Sequence, residues 1–238
     1  MKKFVALVIL CVLGANPAHA ADFPPPVQAA PLPQPIYSGS PSSKNWGGFY
    51  LGINGGYGLG SSQWSLAGTP TSIFDADGFL IGGTFGFNFP ISEVLFGVEG
   101  DIDWAGLDGS VGNCAVNTAG AVASCETKNN FLGTARARMG YAADRTLIYA
   151  TGGAAFGNVQ TGLNPPATFD SAVHAGWAAG AGIEFGFSDN WSAKAEYLFI
   201  NLGNASCTTV ANCGSAAGAS VALTESLVRG GLNYRFSW

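Results

Sequence analysis

The sequence contains no long hydrophobic segment, little charge and almost no histidine. Its one uninterrupted apolar run, residues 4–14, is about half the length that a transmembrane helix needs. Charged residues make up 11% of the 238 residues, and there are two histidines, His19 and His174. No Cys-x-x-Cys pair accompanies them, so we expect neither a metal site nor a bound cofactor.

The first 45 residues predict an export signal followed by a spacer. Lys2 and Lys3 precede the apolar run, and residues 18–20 form a small-x-small cleavage site, so residues 1–20 are predicted to be a signal peptide. Residues 21–45 contain seven prolines and are predicted to form an extended periplasmic arm. Without the signal peptide, eight basic and fifteen acidic residues remain, a formal charge of −7. This charge argues against a nucleic-acid partner.

The end of the chain has the clearest strand pattern. In residues 228–238, apolar or aromatic side chains alternate with polar or cationic ones, so a strand here has one apolar face and one face carrying arginine. This pattern resembles the closing strand of bacterial outer-membrane β-barrels. The resemblance implies a signal for the barrel assembly machinery, formed by Leu232, Tyr234, Phe236 and Trp238. The alternative is the last edge strand of a soluble β domain.

Similar alternation recurs from Trp46 onward and predicts eight strands over residues 46–238. The intervening segments alternate between long and short. Residues 61–77, 106–129, 160–171 and 203–221 are expected to be long loops, and short turns are expected near residues 90–93, 143–145 and 188–190. An even number of strands with short turns at one end predicts an all-β fold, an eight-stranded antiparallel transmembrane up-and-down β-barrel. The fifth strand, residues 147–158, is hydrophobic on both faces, so its inward face stays unassigned.

The charged residues of the strands predict the contents of the barrel. Placing a lysine or arginine on the lipid face costs roughly 2–4 kcal/mol near mid-bilayer, so we expect the charged face to point inward. Five acids and five bases then form ion pairs in the lumen, and we predict a plug rather than an open pore. The predicted set is Glu99, Asp101, Asp103, Glu184, Glu196, Arg136, Arg138, Lys194, Arg229 and Arg235.

Four cysteines remain after residue 20, and an even number in an exported protein suggests disulfides. Three connectivities are open. The short sequence separations favour the local pairs Cys114–Cys125 and Cys207–Cys213.

Three segments resemble one family of proteins. Residues 46–57, which begin Trp-Gly-Gly-Phe-Tyr-Leu-Gly, are similar to the first strand of the small porin-family or outer-membrane immunogenic proteins of rhizobia, brucellae and bartonellae. Residues 149–153 and 228–236 are similar to the fifth and last strands of that family. The resemblance implies an opacity-protein-like, OmpA-like barrel in the outer membrane of a Gram-negative cell. It also implies an abundant envelope protein and surface antigen.

These patterns favour a structural, surface-exposed barrel with antigenic or adhesive extracellular loops. Its expected partners are outer-membrane lipid and lipopolysaccharide, the barrel assembly machinery, and a host surface or other envelope proteins. A small-solute porin is the first alternative. Haem capture is a second, since some family members are described as haem-binding. His174 lies close to Asp170 and Ser171 in sequence, so a catalytic triad is conceivable, but one histidine at a loop edge is weak support and we expect no enzyme.

Overall fold

The structure is a computed structural model that describes residues 45–66, 69–117, 119–165, 167–207 and 209–236. The predicted signal peptide, the predicted arm up to residue 44, and Trp238 lie outside the described residues. Within the described residues, no helix combines the length and the apolar character needed to cross a membrane.

The described part of the chain forms one closed antiparallel barrel in which each strand pairs with the next and the last pairs with the first. The eight-stranded up-and-down architecture predicted from the sequence is confirmed. The strands are β1 Gly48–Leu66, β2 Thr69–Ile91, β3 Val94–Val116, β4 Val122–Ala143, β5 Thr146–Asn164, β6 Thr168–Phe185, β7 Trp191–Cys207 and β8 Ala219–Arg235. A short helix, α1 Val210–Cys213, and a 3-10 turn at Gly214–Ala216 lie between β7 and β8.

The two faces of the wall have opposite character. Large apolar side chains such as Ile53, Phe79 and Trp104 are exposed on the outer face, where lipid covers them in a membrane barrel. In β5 the structure settles the face that the sequence left open. Leu147 and Tyr149 are buried, whereas Ile148 is exposed, so the odd-numbered residues of β5 point inward.

Three of the four predicted long loops are wrong, because most of residues 61–77, 106–129 and 160–171 belong to strands. The fourth, residues 203–221, is confirmed as a connection in its middle, where α1 and the 3-10 turn lie, and only its two ends belong to β7 and β8. β2 and β3 have 23 residues each, roughly twice the 9–11 residues that cross a bilayer, so the strands continue into water on the extracellular side. The predicted loop residues look irregular because their outward side chains face solvent instead of lipid and are polar. Most of their inward side chains are apolar and buried, for example Trp64, Leu107 and Val221.

The periplasmic turns are short, as predicted. β2 and β3 are joined at Ser92, and β4 and β5 at Asp144. Both residues have positive φ, 59° and 50°, a conformation that lets a tight turn connect two antiparallel strands.

Candidate functional site

The periplasmic half of the lumen contains a network of charged side chains. All ten of the charged residues named from the sequence point inward, and each is at most 4% exposed. They come from β3, β4, β6, β7 and β8, where alternate residues face the axis of the barrel. Burial of so many charges requires that each be paired and hydrogen-bonded.

Arg136 of β4 is the first hub of this network. Its guanidinium lies 2.6 Å from Glu99 Oε1 and 2.5 Å from Asp101 Oδ2, both on the neighbouring strand β3. It also lies 2.7 Å from Glu196 Oε1 on β7. The third contact crosses the lumen, so a single side chain ties two non-adjacent walls together.

Arg229 of β8 is the second hub, and it shares two carboxylates with the first. Its guanidinium lies 2.8 Å from Asp101 Oδ2, 2.8 Å from Glu196 Oε2 and 3.2 Å from Asp103 Oδ2. Two guanidinium groups and two shared carboxylates therefore alternate around a closed ring. Charge-assisted hydrogen bonds of this kind, in which one guanidinium contacts several carboxylate oxygens, are stronger than neutral hydrogen bonds.

The periplasmic end of the network continues through Arg138. Its guanidinium lies 3.2 Å from Glu99 and 3.0 Å from Glu184, and it stacks 4.1 Å from the ring centre of Tyr149. Lys194 lies 3.2 Å from Glu99, and Arg235 lies 3.6 Å from Glu184. The ten charges thus form one connected set.

Neutral side chains complete the network, although none of them was among the site residues predicted from the sequence. Tyr50 donates a 2.7 Å hydrogen bond to Glu99 and accepts one of 2.8 Å from Arg138. Thr84 and Thr134 each donate a 2.8 Å bond to Asp101. The alternation of the strands places these side chains on the inward face. Only the packing across the lumen shows which charged groups they hydrogen-bond.

An apolar layer lies toward the extracellular side of this network. It is built from inward side chains that are at most 3% exposed, and its largest aliphatic members include Leu80, Leu107, Leu132, Leu198 and Leu227. The sequence predicts a plug of ion pairs only, because several members of this layer, such as Trp64, Leu107 and Val221, belong to segments predicted to be loops. One carboxylate, Glu225, is buried at this level and accepts a 2.8 Å bond from Asn129.

Two disulfides lie in the extracellular part. The structure joins Cys114 of β3 to Cys125 of β4, and Cys207 at the end of β7 to Cys213 of α1. Asp170 of β6 lies beside the second bond and accepts hydrogen bonds from Thr209 N and Asn212 Nδ2. Since both nearby sulfurs are in a disulfide, this cluster does not offer thiolate ligands to a metal.

The structure does not arrange the three residues considered for a catalytic triad as a triad. Asp170 and His174 lie on the inward face of β6, whereas Ser171 lies on the outward face, where it donates a 2.9 Å bond to Asn158. A strand places adjacent side chains on opposite sides, so the serine hydroxyl cannot meet the imidazole within this strand.

Three of the four residues of the proposed assembly signal, Leu232, Tyr234 and Phe236, are described, and they lie on the outer face of the barrel at the end of β8. Leu232, Tyr234 and Phe236 are 42%, 36% and 39% exposed. Tyr234 packs against Trp191 of β7, with ring centres 5.2 Å apart, and Phe236 packs against Phe49 of β1 at 5.8 Å. The aromatic rings therefore cover both joints of the closing strand.

Comparison with known proteins supports the same barrel architecture and identifies the protein family. The family model described as outer membrane protein beta-barrel domain matches residues 8–236. The 31 kDa outer-membrane immunogenic protein of Brucella melitensis is 32% identical, over 98% of this chain and 100% of the relative. The 25 kDa outer-membrane immunogenic protein of Brucella abortus is 30% identical, over 92% and 89%.

Among solved structures, the outer membrane protease OmpT from Escherichia coli aligns with a TM-score of 0.51 at 9% identity, covering 79% of this chain and 96% of that one. At this identity the likeness concerns the fold alone. The resemblance to outer-membrane immunogenic proteins predicted from the sequence is confirmed. This chain belongs to the outer-membrane β-barrel protein family and is a surface-exposed barrel of the Gram-negative outer membrane.

Proposed function

We propose that this protein is a sealed barrel that presents a rigid, antigenic or adhesive surface on the cell exterior, and that it does not conduct solutes. The observation that carries the proposal is the ring in which Arg136 and Arg229 share Asp101 and Glu196 across the lumen. The ring ties β3, β4, β7 and β8 to one another where a channel would have to pass.

The free-energy cost of separating the ion pairs of this ring disfavours an open pore. Opening a path for water and ions requires breaking buried pairs, and removal of one partner from such a pair costs about 3–5 kcal/mol. The apolar layer toward the outside adds a second barrier, because its leucines would have to separate in water. Together, the ion-pair network and the apolar layer favour a barrel whose lumen is closed to water and ions.

The extracellular half of the barrel supports the surface role. Its strands continue beyond the span of the bilayer, and two disulfides brace it at β3–β4 and at the β7–β8 connection. A rigid protruding rim is suited to recognition, since little ordering entropy is lost on contact. The names of the Brucella relatives describe immunogenic proteins, which is consistent with exposure of the same region. We propose a host surface or other envelope proteins as its partners.

Targeting and assembly form part of the proposal. Residues 1–20 would direct export, residues 21–45 would act as a spacer, and the closing strand with Leu232, Tyr234, Phe236 and Trp238 would be recognised by the barrel assembly machinery. Outer-membrane lipid surrounds the barrel, and lipopolysaccharide is its proposed outer-leaflet neighbour. We propose no catalytic role, because Ser171 lies on the opposite face of β6 from His174 and Asp170.

Single-channel recording in planar bilayers tests the proposal. Purified folded protein is expected to give no steady conductance, with a general porin as the positive control in the same bilayers. A stable open level from the wild-type protein would replace the sealed barrel with the porin alternative. An absorbance titration with haem tests the other alternative, and saturable binding with a Soret shift would support it.

A further inference from the structure

One buried carboxylate lies outside the ion-pair network. Glu225 of β8 points inward at the level of the apolar layer and is 1% exposed. Asn129 Nδ2 donates a 2.8 Å hydrogen bond to Glu225 Oε1, whereas Oε2 has no hydrogen-bonding partner among the described residues. The five acids and five bases of the network already balance one another, so an ionised Glu225 adds a charge that its own contacts do not neutralise.

The side chains that surround Glu225 on its own strand and on the two adjoining strands are uncharged. Glu225 is paired with Gly60 of β1 and with Ile200 of β7. The next inward residues along these three strands are also buried. They are Gly58 and Ser62 of β1, Leu198 and Leu202 of β7, and Leu223 and Leu227 of β8.

The charged and titratable inward residues of the surrounding strands lie further along the barrel. Those nearest to this level on their strands are Arg229 of β8, Glu196 of β7, Asp103 of β3, Arg136 of β4 and His174 of β6. The first four pair with one another in the network, and Arg229 is roughly 13 Å of strand away from Glu225 at about 3.3 Å per residue. His174 lies nearer the extracellular rim.

Glu225 lies beyond the part of β8 that crosses the membrane. Its neighbours in the strand, Thr224 and Ser226, point outward and are polar. Ser226 accepts a 3.1 Å hydrogen bond from the hydroxyl of Tyr197, and tyrosines mark the interface between membrane and water. This level of the barrel is therefore surrounded by the external medium, and protons can exchange with Glu225 when the strands open locally.

An ionised carboxylate is unfavourable in this setting. A buried charge without a counter-charge is costly, and such groups become neutral instead. Burial raises the pKa of Glu225 from its ordinary value of 4.5 to about 7, although the hydrogen bond from Asn129 acts in the opposite direction. The proton therefore stabilises the folded chain fully below about pH 4.5, and this contribution is lost as the pH rises through about 7.

We propose that Glu225 is a proton-binding site that holds the extracellular half of the barrel tightly closed in acid and loosens it above neutral pH. A neutral carboxyl group is compatible with the leucines around it, whereas the ionised group favours the entry of water between β1, β7 and β8. The ion-pair ring lies on the periplasmic side of this level and stays closed in both states. The inference goes beyond the proposed surface role, because it makes the rigidity of that surface depend on pH.

Hydrogen exchange of the full mature protein in lipid vesicles, followed by mass spectrometry between about pH 5 and pH 8, tests the proposal. Each wild-type rate is divided by the rate of Glu225→Gln at the same pH. This ratio cancels the intrinsic pH dependence of exchange and the titration of groups that both proteins share. In residues 58–64 and 219–227 the ratio should rise about tenfold across this range, since a factor of ten corresponds to one pKa unit. In residues 229–235 it should stay constant.

A control variant and a spectroscopic measurement separate Glu225 from the other acids. Asp108→Asn removes an exposed acid from the same half of the barrel and should keep the pH dependence of the wild type. Infrared difference spectra between the two ends of the pH range should contain the C=O band of a neutral carboxyl group that Glu225→Gln lacks. Heat-dependent migration in SDS gels checks that both variants fold.

A ratio that does not change with pH would overturn the proposal, as would identical infrared spectra of the wild type and Glu225→Gln. Wild-type protection that potassium chloride restores at about pH 8 would identify a bound cation in place of the proton and would overturn it as well. None of these results would affect the sealed lumen, which the conductance measurement tests separately.

Discussion

Arg136 of β4 lies 2.7 Å from Glu196 of β7, a strand three places further around the barrel. The two residues are 60 positions apart in the chain, and neither has exposed side-chain surface. Because the pair crosses the lumen, it resists both the widening of the barrel and the entry of water. Its contribution can be measured directly.

Arg136→Ala should lower the free energy of unfolding by about 3–5 kcal/mol. The change leaves Glu99, Asp101 and Glu196 each with one fewer cation in a buried setting. Urea unfolding in lipid vesicles gives the energy. Lys128→Ala is the matched control, because Lys128 pairs with Glu126 at 3.2 Å on the partly exposed rim and should cost less than about 1 kcal/mol. Equal effects of the two substitutions would mean that the lumen is wet.

The double change Asp101→Ala with Arg136→Ala should be less harmful than the sum of the single changes. Removing both members of a pair avoids one unpaired buried charge, so the two effects are not additive. Compensation should be incomplete, because Arg229 also lies 2.8 Å from Asp101 and loses that partner. The same unfolding series measures all three variants. Strict additivity would argue that the two side chains do not interact.

Gly86→Ala should destabilise the barrel by about 1–3 kcal/mol through overpacking. A Cβ at this position would overlap the ring of Tyr50, whose hydroxyl group bonds Glu99 and Arg138. Gly112→Ala provides the control, since a Cβ there meets nothing within 4 Å and the change should stay within about 0.5 kcal/mol. Thermal unfolding followed by gel migration distinguishes them, and an unaffected Gly86 variant would show that Tyr50 has room to move.

Deletion of residues 231–238 should abolish insertion into the outer membrane. The deletion removes the ladder from Tyr50↔Arg235 to Asn54↔Gly231 and the matching pairs with β7. The freed backbone groups would face lipid at a cost of several kcal/mol each. Immunoblots of membrane fractions measure the outcome. A chain that lacks residues 22–44 is the control and should still insert, and normal membrane levels of the C-terminal deletion would contradict the assembly role.

Replacement of Cys114 and Cys125 by serine should weaken the extracellular end of the β3–β4 hairpin by about 2–4 kcal/mol. The bond closes a segment with a sequence separation of 11, far from the ring around Arg136, so the membrane-spanning part should stay folded. Hydrogen exchange resolved along β3 and β4 separates the two regions. Uniformly faster exchange along both strands would show that the disulfide supports the whole barrel.

The sequence alone determined the fold and the ten charged residues of the ion-pair network, but not the buried Glu225. Alternation with period two is a local property of each strand, and the cost of a cation in lipid assigns its faces without reference to any other strand. That reasoning placed Arg136, Arg229 and their acidic partners inward, and the closing strand at the end of the chain.

Only the tertiary structure decided which charges meet and where the strands end. The ring of ion pairs depends on the register of four strands and on the width of the barrel, and neither can be predicted from the sequence of a single strand. Its members are Asp101, Arg136, Glu196 and Arg229. The extension of the strands beyond the membrane was missed because water replaces lipid there, and polar outward residues then resemble a loop. The β6–β7 ladder ends at Trp177↔Asn201, next to a bulge in β7 near Gly203, and this irregularity can be located only when β7 is paired with both of its neighbours.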